Sequence, residues 1–149
     1  MMQRKIKLLD ILFILYIIFM LWLLFGQRMG YLVLEDYVER LKENVNLIPF
    51  KTAGVYFKQL FISDEGISRS HAVINLFGNV IMFVPLGLLI PYYSPKKLSL
   101  TKFVLYVLII IATIEIIQLF TMLGSFDIDD LTLNTLGAVI GYPFRKLLK

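Results

Sequence analysis

The residues able to do chemistry are few, and they lie in apolar surroundings. His71, Asn75 and Asn79 recur at i, i+4 and i+8, a spacing that puts side chains on one face of a helix. Glu115 and Gln118 share a face at i and i+3. Asp127, Asp129 and Asp130 form an acidic turn, and Asn134 follows Asp130 at i+4. Amides and carboxylates on converging helix faces can bind a polar group. Glu115 can serve as an acid or a base. Glu115 with the aspartates can offer oxygens to a hard divalent cation, although carboxylates at a helix start are common for another reason, since they cap it and favour its dipole. Other chemistries are excluded. The chain has no cysteine and a single histidine, so a thiolate metal site, a Cys nucleophile and a His-x-x-x-His pair cannot be built. No Gly-rich phosphate loop follows a strand, and no Ser–Lys pair is embedded. No cofactor and no metal is expected.

The apolar surroundings read as membrane spans. Hydrophobic residues make up 58% and charged residues 17% of the 149, against about 45–50% and about 25% in a soluble domain. The mean hydropathy of +0.78 agrees. One domain is expected over residues 1–149. The net charge of +4 is spread in short basic clusters beside apolar runs, which fits membrane flanks rather than a nucleic-acid surface. The run Leu8 to Phe25 would be about 27 Å long as a helix, near the hydrocarbon thickness. It follows Arg4, Lys5 and Lys7, but Phe25-Gly26-Gln27-Arg28 lacks a small-x-small cleavage pattern, so it is read as a retained anchor. Further spans are expected at about 72–91, 102–120 and 131–147. The last is short and interrupted by Gly137, Gly141 and Pro143. The expected fold is an all-α bundle of four transmembrane helices.

Residues 27–70 form an outer segment with six Lys/Arg and six Asp/Glu. Glu35 to Asn44 reads as a short surface helix, and Asn46 to Phe50 as a turn. Ala53, Tyr56, Phe57, Leu60 and Phe61 then recur at helical spacing beside Lys51 and Lys58, a pattern for an amphipathic helix in the headgroup layer.

Orientation follows from the basic residues. Arg4, Lys5 and Lys7, then Lys96, Lys97 and Lys102, then Arg145, Lys146 and Lys149 fall on one side if there are four crossings. Both termini are then cytoplasmic, and the acidic turn faces outward. Asn75, Gln118 and Glu115 would lie in the outer half of the membrane, with Glu115 on the order of 9 Å deep. Each polar group also has a packing reading. Asn75, Asn79, Gln118 and Asn134 can tie helices together, the aspartates can cap the last helix, and His71 can be an interfacial residue. Glu115 is harder to explain by packing, because a buried carboxylate needs a partner or water. Gly137-x-x-x-Gly141 suits close helix packing, as do Gly78 and Gly87, and Pro85 suits a kink.

Taken together, Asn46-Leu47-Ile48-Pro49-Phe50-Lys51-Thr52, then Asn75-Leu76-x-Gly78-Asn79-x-x-x-Phe83-x-Pro85-Leu86-Gly87, then Glu115-x-x-Gln118, then Phe126-Asp127-Ile128-Asp129-Asp130-Leu131-x-x-Asn134-x-x-Gly137 resemble the VanZ-like family over residues 10–147. Asn46, Pro49, Phe50, His71 and Pro85 are supporting positions. One departure stands out: the family often has an arginine just before Phe126, where this chain has Leu123-Gly124-Ser125. If such an arginine helps neutralise the acidic turn, that partner is missing here or comes from elsewhere, such as Arg69 or Arg28. The resemblance implies a bacterial membrane protein of four helices, in a family whose founding member is linked to resistance to the glycopeptide teicoplanin.

These observations lead to a non-enzymatic protein with a polar, acidic pocket at the outer leaflet. Its partners would be membrane lipids, a lipid-linked cell-wall precursor or a glycopeptide. Two other readings stand beside it. One is a membrane enzyme acting on a lipid-linked substrate through Glu115 and the aspartates. The other is an assembly partner whose polar residues only pack helices.

Overall fold

A computed structural model describes residues 8–26, 37–62, 69–94 and 98–148, with side chains to 146. Arg4, Lys5, Lys7, Arg28, Lys96, Lys97 and Lys149, which entered the orientation argument or were named as partners of the acidic turn, lie outside the described residues. The elements run α1 (Leu8–Phe25), α2 (Tyr37–Glu43), β1 (Val45–Asn46), α3 (Lys51–Phe61), α4 (Arg69–Tyr93), α5 (Leu100–Phe120), β2 (Phe126–Asp127) and α6 (Ile128–Gly141). A 3-10 helix, Tyr142–Leu148, continues from α6.

Among the described residues, α1, α4 and α5 are long and apolar enough to cross a membrane. They coincide with or enclose the expected spans 8–25, 72–91 and 102–120. Their outer surfaces carry large apolar side chains, including Leu15 and Phe19 on α1, Phe77 and Ile81 on α4, and Leu105 and Ile109 on α5. Surfaces of that kind match a lipid solvent, while the intrahelical hydrogen bonds satisfy the backbone. The expected span 131–147 takes another form. Its α-helical part is 14 residues, and the 3-10 segment begins just before Pro143, in a stretch where glycine and proline weaken an α-helix.

The helices alternate in direction. Asp10 of α1 accepts a hydrogen bond from the Tyr93 hydroxyl of α4 at 2.7 Å, and the Tyr16 hydroxyl donates to the Met82 carbonyl at 2.8 Å. The start of α1 therefore lies beside the end of α4. The Phe103 and Tyr142 rings stand 4.6 Å apart between centroids, which puts the start of α5 beside the end of α6. α4 and α6 run parallel and touch through backbone. A Cβ on Gly137 would overlap the Val80 carbonyl, one on Gly141 the Val84 carbonyl, and one on Gly87 the Ala138 carbonyl. The expected packing role thus falls on Gly87, Gly137 and Gly141. Gly78 faces only Ile74 of its own helix, at 3.8 Å. α4 passes through Pro85 without interruption. The core, built on Met20, Phe83, Leu86, Phe103, Val107, Ile111, Ala138 and Tyr142, takes in the half of the bundle toward the 3-10 helix and extends beyond it to Met20 in the second half of α1.

The other half carries the segment that precedes α4. α2 and α3 are helices within the stretches 35–44 and 51–61, and on α3 Phe57 and Phe61 are exposed and Gln59 is buried. Unforeseen from the residue pattern, β1 and β2 pair in parallel, with Val45 opposite Phe126 and Asn46 opposite Asp127.

Candidate functional site

Two arrangements occupy the polar end of the bundle. The first is a joint between the turn before α3 and the start of α6. Phe50 precedes α3 with φ 63 and supplies no side-chain cap. The first amides of a helix lack intrahelical partners and favour a negative charge. Asp129 supplies it from 79 residues away. Its Oδ1 accepts from the Phe50 amide at 2.7 Å, and its Oδ2 from the Thr52 and Ala53 amides at 2.9 and 3.0 Å. The left-handed backbone at Phe50, costly for a residue with a Cβ, aims that amide at the carboxylate. Asp127 completes the joint. Its Oδ1 accepts from the Asp129 amide at 2.8 Å, capping α6, and its Oδ2 accepts from the Thr52 hydroxyl and, at 3.1 Å, the Asn46 amide. Pro49 lies in the connecting turn, exposed to solvent.

The second arrangement is a cavity of about 450 Å³ between α1, α4, α5 and α6. α4 contributes His71, Asn75 and Asn79, α5 contributes Glu115 and Gln118, and α6 contributes Asp130 and Asn134. Leu23 and Leu24 of α1 close one wall. The rim is open: Ser70, His71 and Ser125 are exposed. The floor is not, since Glu115 and Asn134 are each 3% exposed. Four helices hold these side chains in place. The Asn79 amide donates to Asp130 at 2.6 Å, tying α4 to α6. The Gln118 amide donates to the Leu24 carbonyl at 2.9 Å, tying α5 to α1. The Asn75 amide donates to the His71 carbonyl one turn earlier at 2.9 Å, and the His71 ring stacks on Tyr56 of α3 at 6.1 Å. Glu115 Oε2 lies 3.5 Å from the Asp127 amide nitrogen, where the cavity meets the joint. Asn134 Oδ1 is buried without a hydrogen-bond partner among the described residues, an arrangement that costs free energy unless something fills it.

The VanZ/LLP1 family profile matches residues 13–149. The chain belongs to the VanZ/LLP1 family. It is 31% identical over 127 residues to "Protein VanZ" of Enterococcus faecium, covering 85% of this chain and 66% of that protein. It thus spans just under two thirds of that relative's length. No solved structure matches the chain.

Within this VanZ/LLP1 chain, the structure divides the sequence-predicted residues into two groups. Asn75, Asn79, Glu115, Gln118, Asp130 and Asn134 gather around one cavity, with His71 at its rim. Asp127 and Asp129 do not line it, and neither do Asn46, Pro49, Phe50 or Pro85. The acceptor capacity of Asp127 and Asp129 is directed to amides and a hydroxyl of the joint. Leu123-Gly124-Ser125 instead forms the turn after α5, in which the Leu123 and Gly124 amides donate to the Gln118 carbonyl. Among the described residues, no three His, Asp or Glu side chains stand close enough to hold a metal ion. Thr52 ends the Asn46–Thr52 run that carried the resemblance but was given no site role there; in the structure its hydroxyl and amide bond to Asp127 and Asp129.

Proposed function

We propose that this VanZ/LLP1-family protein crosses a bacterial cytoplasmic membrane four times. In this reading it binds a polar headgroup, a lipid-linked cell-wall intermediate or a glycopeptide in a cavity open to the outer leaflet, without catalysing a reaction. The observation that carries the reading is the cavity itself. Polar side chains from three helices converge on it, and one of them, Asn134, has a buried oxygen with no hydrogen-bond partner among the described residues. A packing role alone would pair that oxygen.

Several features support the topology. α6 lies parallel to α4 at backbone contact, so it traverses the same depth. Its 14 α-helical residues and 7 residues of 3-10 helix add to about 35 Å at about 1.5 and 2.0 Å per residue, enough for the hydrocarbon layer. The basic clusters then fall inside, and α3 lies at the outer surface with Phe57 and Phe61 toward the headgroups. Family membership supports a link to glycopeptide resistance or envelope homeostasis. The enzymatic reading keeps only Glu115 and Asp130 as carboxylates in the cavity, because Asp127 and Asp129 turn their oxygens to the joint.

The test replaces Glu115 by Gln in cells lacking the chromosomal copy. At equal expression, teicoplanin and envelope-stress sensitivity should move toward that of the deletion strain. A variant that protects as well as the wild type would sink the proposal.

A further inference from the structure

We infer that the cavity selects a primary ammonium group, carried by a zwitterionic headgroup or by a soluble amine, over a phosphate or a quaternary amine. This rests on the binding reading above and gives it a ligand chemistry.

The hydrogen-bond directions carry the argument. Three amide nitrogens on the cavity wall already donate within the protein: Asn75 to His71, Asn79 to Asp130 and Gln118 to Leu24. Below a rim of Ser70, His71 and Ser125, the floor carries oxygen acceptors. The carboxylates of Glu115 and Asp130 line the space, and Asn134 Oδ1 is buried there without a partner among the described residues. Among the described residues that line the cavity there is no lysine or arginine. A phosphate entering this floor would bring negative charge against two carboxylates and would supply no donor for Asn134. A primary ammonium brings the opposite charge and three N–H donors on one compact group, one of which can satisfy Asn134 Oδ1 with a charge-assisted bond. A quaternary ammonium has the charge and no N–H. It would leave that oxygen buried and unpaired, the arrangement that discriminates most strongly between otherwise similar ligands.

The experiment uses the purified full chain in detergent micelles. Short-chain phosphatidylethanolamine, phosphatidylcholine and phosphatidylglycerol are titrated and binding is read by native mass spectrometry. Phosphatidylethanolamine should bind saturably, with phosphatidylcholine about tenfold weaker, the ratio expected for one missing hydrogen bond from a charged donor. Asn134→Leu should abolish that preference. The near-isosteric Asn134→Asp should keep it, which separates ligand recognition from a general loss of fold. Free ethanolamine and inorganic phosphate serve as competitors. Displacement by ethanolamine supports the amine as the whole determinant. Binding of the lipid that ethanolamine does not displace supports a lipid headgroup. Equal binding of phosphatidylethanolamine and phosphatidylcholine overturns the inference, as does displacement by inorganic phosphate. Tightest binding of phosphatidylglycerol, lost in Glu115→Gln, overturns the amine preference and leaves the binding cavity standing. Absence of saturable binding by every probe overturns both.

Discussion

At the scale of single residues, the two halves of the Phe126–Asp130 motif do different work, although the sequence presents them as one acidic cluster. Asp129 faces three amides at 2.7–3.0 Å, whereas Asp130 meets Asn79 on the cavity wall. Asp129→Ala should therefore act on stability. It leaves the start of α3 without an acceptor and removes hydrogen bonds to a charge, a loss of about 2–3 kcal/mol. The readout is the unfolding midpoint in detergent, together with faster proteolysis within 51–61. Asp129→Asn keeps an acceptor oxygen and should lose less. Asp130→Asn should leave α3 protected. If Asp129→Ala melts like the wild type, the joint is not what fixes α3. The sequence reading placed the polar residues of α4, α5 and α6 together because helical periodicity carries that information. It could not assign Asp127 and Asp129 to the joint, because a contact between short polar motifs 75 or more residues apart leaves no periodic trace.

Among the elements, hydropathy made α1, α4 and α5 legible. Each is an apolar run of 18 residues or more, and the expected boundaries fall within three residues of those observed. α6 was less legible for a physical reason. Its helix is set by contact with α4 rather than by its own hydrophobicity, and the glycines that permit that contact are the residues that weaken the hydropathic signal. This assigns opposite outcomes to chemically identical substitutions. Gly137→Ala and Gly141→Ala force a Cβ onto the Val80 and Val84 carbonyls and should cost about 1–3 kcal/mol, as overpacking does. Gly54→Ala meets nothing within 4 Å in α3 and should be neutral or stabilising by about 0.5–1 kcal/mol through helix propensity. Thermal unfolding of the three variants in one detergent checks the ordering. Equal midpoints would remove the close approach of α4 and α6 as the source of the bundle's fit.

For the whole molecule, the question is which side of the membrane each end of the bundle faces. The polar cavity, the β1–β2 pair and α3 share one end, and the core around Phe103 and Tyr142 lies toward the other. At that second end the Arg145 guanidinium sits 3.7 Å above the Tyr142 ring and donates to the Tyr142 carbonyl at 2.8 Å. A charge fixed there belongs at the cytoplasmic headgroups if the basic residues orient the chain. The absence of cysteine makes single-cysteine labelling in intact cells unambiguous. Lys58→Cys on α3 and Ser125→Cys at the cavity rim, both exposed, should react with a membrane-impermeant maleimide added outside. Ser99→Cys before α5 and Lys146→Cys in the 3-10 helix, also exposed, should react only after the membrane is opened. Labelling of Lys146→Cys from outside would mean an inverted orientation, with the end of α6 at the outer face. The outward-facing cavity would then fail, because the parallel contact of α4 with α6 requires both helices to run the same way through the bilayer.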